Sequence, residues 1–233
     1  MTEQQVRQAA VDSLKIWLGA KQGDSRHKAI IDRYNAHKPL ARGYAMTYAD
    51  PWCAATVSVA GIVNGWTDIM PTECGCASMI KLYQDHPLSK WEERDDYTPQ
   101  IGDIVMYDWD DAASGFATTD NKGAPEHVGM VMEISGKDMT IIEGNINKSV
   151  GTRKLTVNGR YIRGYCLPAY HLKAKPEDEP SEWAKDACSW TIENGIIKGD
   201  DDATDEGGLY NWQKPITVEQ MAVILHRYHM MFN

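Results

Sequence analysis

Residues 127–147 read HVGMVMEISGKDMTIIEGNIN, two apolar runs that alternate with polar positions and meet at Ser135, Gly136 and Lys137. Period-two alternation on either side of a glycine-containing turn specifies an antiparallel hairpin. The length of the turn decides its register, and a slip of one residue sends every side chain to the other face. A three-residue loop over 135–137 pairs Ile134 with Asp138. It sets His127 opposite Asn145 and Gly129 opposite Glu143, with all four on one face. Opposed positions lie about 4.5–5.5 Å apart at Cβ, so a carboxylate and an amide both reach the imidazole, and Gly129 leaves room for them. A two-residue Gly136–Lys137 turn faces His127 away from Glu143 and Asn145. Joint chemistry of these residues is therefore expected to require the three-residue loop.

The hairpin belongs to a run of short apolar segments after Pro99: DIVMYDW, HVGMVMEI, MTIIEGNI, RKLTV and YIRGYCLP, which read as strands. Before it the spacing is helical. Val6, Ala10, Leu14 and Trp17 mark a first helix stopped near Gly19, and a second runs from about Ser25 to Ala36 over Ile30, Ile31 and Tyr34. A third begins at Pro51–Trp52, where proline suits a first turn, and reaches Asn64–Gly65. A fourth covers about Thr72–Gln84, with Thr72 as its cap. Helices followed by an antiparallel sheet predict an α+β domain.

Cys53, in PWCAATVSVAG, falls in the first turn of the third helix. Unpaired amides and the positive end of the helix dipole there favour a thiolate, and His127 with Glu143 supplies the base and the group that orients it. Five cysteines cannot all pair internally, so at least one thiol is expected to be free. Cys74 and Cys76, in TECGCAS, lack the two-residue spacing of zinc knuckles and have no second pair to match, so they read as packed thiols at the start of the fourth helix.

PWCAATVSV, HVGMVMEI and IEGN together resemble the signature segments of CHAP domains, the cysteine- and histidine-dependent amidohydrolases/peptidases of phage endolysins and bacterial wall hydrolases. WLGAKQGDSRHKAIIDRYN is similar to the opening helices of such proteins. The resemblance implies a papain-like fold over residues 1–170, with N-terminal helices packed on an antiparallel sheet. It implies Cys53 as nucleophile, His127 as proton carrier, Glu143 orienting the imidazole and Asn145 contributing to the polar site. The Cys53 amide would serve the oxyanion, with Tyr48, Asp50 and Trp52 as neighbouring candidates for that role or for substrate contact. Some CHAP domains carry a calcium loop just before the cysteine; here GYAMTYAD offers only Asp50. The acidic run DDDATDEGG at 200–208 lacks the glycine and glutamate of an EF-hand loop. No metal or other cofactor is expected, so wall lysis should persist in EDTA; loss in chelator with recovery on adding calcium or zinc would show otherwise.

HLKAKPEDEP, 171–180, is polar and proline-bearing and reads as a linker. Residues 172–233 hold 6 of the chain's 24 basic and 12 of its 33 acidic side chains, so the tail carries a disproportionate negative charge. Residues 181–233 hold two helical patterns, the second opened by Thr217 with Gln220 completing a capping box. NGIIKGD and PITVEQMAVIL resemble one S-layer homology (SLH) repeat, in which Val218 stands where that family has an arginine that grips wall polysaccharide. A small helical SLH-like domain is thus expected, binding wall polysaccharide or joining chains into a homo-oligomer through its apolar stripe.

The net charge of −9 argues against nucleic acid as a partner, and no apolar stretch is long enough to span a membrane. Met1–Ala10 has neither a basic n-region nor an apolar h-region, so synthesis in the cytoplasm without a signal peptide and action at the wall after release are expected. The function that follows is that of a peptidoglycan hydrolase of endolysin type, an N-acetylmuramoyl-L-alanine amidase or an endopeptidase. A non-catalytic wall-binding protein and a cysteine peptidase or acyltransferase with a protein substrate are the alternatives.

Overall fold

A computed structural model describes residues 1–94, 96–109, 123–174, 180–198, 212 and 216–232. They divide into two compact units, Glu3–Lys173 and a second containing Ala174–Asn233. The first unit opens with α1 (Glu3–Lys15) and α2 (Ser25–Ala36). Val6, Ala10, Val11 and Leu14 give α1 its buried stripe, and the Asp24 carboxylate caps α2 by accepting the His27 amide at 2.7 Å. Helix α3 (Cys53–Asn64) is buried from Cys53 through Gly61 and packs on α1, α2 and the sheet. A helix apolar on all sides belongs at the centre of a domain.

Helix α4 (Cys76–Asp85) starts later than its periodicity suggests. The buried Glu73 carboxylate accepts the Cys74 and Gly75 amides at 2.7 and 3.0 Å, which holds 73–75 as a turn, and Gly75 rather than Thr72 is the N-cap. The sheet is antiparallel throughout, in the order β1-β6-β2-β3-β4-β5. Its strands are β1 (Lys90–Glu92), β2 (Ile104–Tyr107), β3 (His127–Ser135), β4 (Asp138–Ile146), β5 (Ser149–Thr156) and β6 (Ile162–Leu167). Strand β1, which the sequence pattern does not predict, is only three residues long and pairs with β6.

The β3–β4 hairpin corrects the expected loop. Ser135 pairs with Asp138, so the turn is the two residues Gly136–Lys137, with Gly136 at φ 61° as two-residue hairpins prefer. That turn alone would face His127 away from Glu143. Between Val131 and Glu133, however, Met132 is an extra residue opposed by none, because Val131 pairs with Ile141 and Glu133 with Thr140. This β-bulge restores the register, and beyond it Met130 faces Ile142. Continuing that ladder brings Gly129 level with Glu143, the relation the longer loop would have produced.

In the second unit, α5 (Lys185–Glu193) follows a short 3-10 turn, and α6 (Val218–Phe232) is opened by a reciprocal cap. The Thr217 amide donates to Gln220 Oε1 at 2.8 Å, and the Gln220 amide donates to Thr217 Oγ1 at 3.1 Å. The acidic run 200–208 and residues 175–179 of the linker lie outside the described residues. None of the described helices is long and apolar enough to cross a membrane.

Candidate active site

Cys53 is the first residue of α3 and is 5% exposed. The chain that delivers it is clamped on both sides. Asn35 of α2 donates to the Met46 carbonyl and accepts the Met46 amide, each at 2.8 Å. Asp50 Oδ2 accepts from the Thr47 amide at 2.7 Å, Thr47 Oγ1 at 3.0 Å and the Tyr44 hydroxyl at 2.9 Å. Beneath, Trp52 is fully buried with its ring edge-on to His27 at 4.7 Å. Cys53 opens onto a cleft of about 370 Å³ whose lining includes Arg42, Tyr44, Asp50, Cys76 and Glu126.

His127, the first residue of β3, pairs with Tyr107 of β2 and lies against its ring at 5.6 Å. Its Nε2 is 3.0 Å from Glu143 Oε2. Glu143 is completely buried, and two further groups hold it. The Tyr107 hydroxyl donates to Oε1 at 2.9 Å, while Arg153 of β5 donates through Nε to Oε1 at 2.8 Å and through Nη2 to Oε2 at 3.2 Å. The Arg153 guanidinium rests on the Trp109 ring, 4.8 Å from its centroid. A buried carboxylate needs such partners, because desolvation disfavours its charge. Gly129 makes the arrangement possible. A Cβ there would come within 2.5 Å of Ile141 Cγ2 and 2.8 Å of Glu143 Cγ.

The protonation states follow from these contacts. The Cys53 thiol is brought down to about 5, first by its hydrogen bond with Cys76 and then by His127 and the Ala54 amide, against the effect of burial. Burial alone would lower the imidazole, but its contacts with Cys53 and Glu143 outweigh that and raise His127 to about 9. Burial likewise works to raise Glu143, and His127 and Arg153 hold it below the usual carboxylate value. Between these limits Cys53 and His127 form a thiolate–imidazolium pair. Since Glu143 occupies Nε2, the nitrogen left for the sulfur is Nδ1.

The structure thus brings together Cys53, His127 and Glu143 of the residues singled out in the sequence. Asn145 is placed otherwise. The β4–β5 register shifts between Glu143 and Ile146, Asn145 takes φ 59°, and among the described residues no hydrogen bond joins it to His127. The Tyr48 hydroxyl donates a hydrogen bond to Asp32 Oδ1 at 2.7 Å, on the α2 side. Asp50 lines the cleft as an acceptor of three hydrogen bonds that hold it ionised, so it has no proton to offer an oxyanion. Trp52 packs under the site rather than in it. Among the described residues no group of three potential metal ligands occurs.

Three neighbours of the site go beyond the sequence reading, which assigns none of them a place there. Tyr107 stands directly opposite His127, and Arg153 opposite Ile141, on the same face as Glu143. An arginine at an inward position of an alternating strand was the available signal. Cys76 is the third, its sulfur 3.9 Å from that of Cys53.

Arg153 acts through Glu143 and is a positioning residue. Arg153→Met removes two charge-assisted hydrogen bonds, so kcat/KM on wall substrate is expected to fall about ten- to a hundredfold. Loss of a cation also makes every nearby proton harder to remove, so both limbs of the pH–rate profile should move to higher pH. Arg153→Lys should restore part of the rate. Limbs that stay in place would reduce Arg153 to a packing role.

Residues 43–145, the span that holds Cys53, His127, Glu143 and Asn145, match the CHAP domain family model. Similar solved structures include the crystal structure of Ly7917, at TM-score 0.40 and 13% identity over 70% of this chain. A crystal structure of Ly7917 with the hydrolyzing product of MDP stands at TM-score 0.38 and 14% identity, again over 70% of this chain. The chain spans 62% of the length of each. Among curated proteins none matches.

Proposed function

We propose, from the CHAP domain at residues 43–145, that this chain hydrolyses an amide bond of bacterial peptidoglycan through a cysteine thiolate. The observation that carries the reading is the relay at the cleft: Cys53 beside His127, and His127 Nε2 on a buried Glu143 that Arg153 and Tyr107 hold in turn. In the reaction, the Cys53 thiolate attacks the carbonyl carbon of the scissile amide. The oxyanion gathers at the N-terminus of α3, where first-turn amides have no partner within the helix. His127 passes the Nδ1 proton to the leaving nitrogen, the C–N bond breaks, and a thioester remains on Cys53. Neutral His127 then takes a proton from water, the hydroxide attacks the thioester, and the thiolate leaves. Glu143 holds the ring in one orientation and stabilises the imidazolium at each stage.

Digestion of purified sacculi followed by mass spectrometry tests the reading, because the new termini name the bond. Free N-termini on L-alanine with intact glycan mean an amidase; new termini within stems or cross-bridges mean an endopeptidase. Sacculi unchanged by protein with a reactive Cys53 would overturn it and favour a protein substrate. The 181–233 unit reads as a wall-polysaccharide or association module of SLH type, supported by its capping box and by exposed Met221, Leu225 and Tyr228 along α6. Endolysin origin belongs to the same proposal.

A further inference from the structure

Two helix N-termini converge on the cleft, and each begins with a cysteine. Cys53 opens α3, Cys76 opens α4, and their sulfurs are 3.9 Å apart, both as free thiols. A disulfide needs an S–S separation of about 2.05 Å, so the sulfurs must approach by about 1.9 Å more, within reach of side-chain rotation and small shifts at two helix ends. Cys74, two residues away, is engaged elsewhere: its sulfur accepts from Arg42 Nη2 at 3.5 Å, and that guanidinium is bound to Glu73. Cys166 is wholly buried in β6.

We propose that Cys53 and Cys76 form a hydroperoxide-responsive pair, in which oxidation of the nucleophile is captured by Cys76 as a disulfide that switches the hydrolase off reversibly. The proposal rests on the reading of Cys53 as nucleophile. Three features of the site lead to it. The Cys53 sulfur is the thiolate of the two, and the Cys76 thiol, raised by that hydrogen bond and by burial, is the donor. The thiolate also opens onto the cleft, where a small oxidant can reach it. And a base stands beside the Cys53 sulfur, in His127.

The steps balance. The Cys53 thiolate attacks one oxygen of hydrogen peroxide, the O–O bond breaks, and the departing hydroxide takes the imidazolium proton and leaves as water. Sulfur has lost two electrons and carries a hydroxyl as sulfenic acid. The Cys76 thiol proton then passes through water to neutral His127, and the new thiolate attacks the Cys53 sulfur. The S–S bond forms as the S–O bond breaks, and the hydroxide leaves with the proton from His127. Two thiols and one peroxide give one disulfide and two waters. A dithiol reverses the step by exchange. Without the second sulfur, Cys53 would continue to the sulfinic acid, which a thiol does not reverse.

The test is limiting hydrogen peroxide on the reduced full-length protein, read by intact mass and by peptide mapping. Trypsin leaves Cys53, Cys74 and Cys76 in a single fragment, 43–81, so a second cut after Trp66 is needed to separate Cys53 from the other two. The wild type should lose about 2 Da, with the crosslink to Cys53 kept in Cys74→Ser and absent in Cys76→Ser. Its wall lysis should fall on the order of tenfold or more and return with dithiothreitol. Cys76→Ser should instead bind dimedone at Cys53 and, with peroxide in excess, lose lysis that dithiothreitol does not restore, and Cys76→Ala serves if the serine variant fails to fold. A wild type that goes straight to a Cys53 gain of about 32 Da, or a crosslink that follows Cys74, would overturn the proposal. A Cys53–Cys76 crosslink in a protein that never attacks walls would uphold the thiol chemistry and overturn the hydrolase reading.

Discussion

Cys53→Ala is expected to lower wall lysis by on the order of 10⁴-fold or more, to the background of the assay. The side chain is small and the change removes one sulfur at the lip of a cleft, so the circular dichroism spectrum and unfolding midpoint should stay close to those of the parent. What disappears is the group that forms the thioester, and the neighbouring Cys76 thiol, raised by its hydrogen bond with Cys53 and by burial, is not the thiolate of the pair. The same sulfur sets the pH response. With Cys53 at about 5 and His127 at about 9, the productive ion pair is lost as pH falls through the lower value, by protonation of sulfur. It is lost again as pH rises through the upper, by deprotonation of the ring. A bell-shaped kcat/KM with limbs near these values is expected, and iodoacetamide should alkylate Cys53 faster as pH rises through the lower limb. An alanine variant that clears walls at the parental rate would remove Cys53 from the mechanism.

Glu143→Gln is expected to cost on the order of 10²–10⁴-fold in kcat/KM. The amide fits the same space and can still accept from Tyr107 and Arg153, but it carries no charge to support an imidazolium. Its NH₂ end, turned toward Nε2, cannot accept the proton that Glu143 Oε2 now receives at 3.0 Å. Without the carboxylate, His127 loses one of the two contacts that raise it, so the alkaline limb should move down from about 9. Cys53, whose thiolate no longer has a carboxylate charge nearby, should move down as well. Both limbs thus move to lower pH, opposite to the shift expected of Arg153→Met, which a general loss of packing would not produce. Unchanged limbs with a lowered rate would assign Glu143 to structure alone.

How far these residues could be read from the sequence depends on the range of the physics that places them. Cys53 at a helix start is a local fact, set by Pro51 and the apolar run that follows. The shared face of His127 and Glu143 is nearly local, a matter of strand parity. The turn is not legible because Met132 leaves no mark: an apolar residue between Val131 and Glu133 looks the same inside a bulge as inside a regular ladder. The start of α4 differs from its periodicity because Glu73 satisfies the amides ahead of it, a contact tied to burial and to Arg42, 31 residues away. Cys76 was invisible as a partner of Cys53 for the same reason, since only the packing of α4 beside α3 brings the two sulfurs together. Arg153 was legible in principle, as a cation on an inward strand position, but its use depends on the carboxylate already being buried beside it.

The extra residue in β3 has a consequence for how such a hairpin can change over time. The facing of His127 on Glu143 depends only on the parity of the residues between them, counted against the opposing strand. A two-residue turn with one bulge and a three-residue turn with none have the same parity, so they are interchangeable solutions to one constraint. A single insertion or deletion within either strand between positions 130 and 142 turns the two residues to opposite faces unless a bulge absorbs it, as the one at Met132 does. The segment therefore behaves like a reading frame. Its tip is free to vary in length and composition, and the catalytic end, several residues away, registers whether the paired strands below that tip keep their parity.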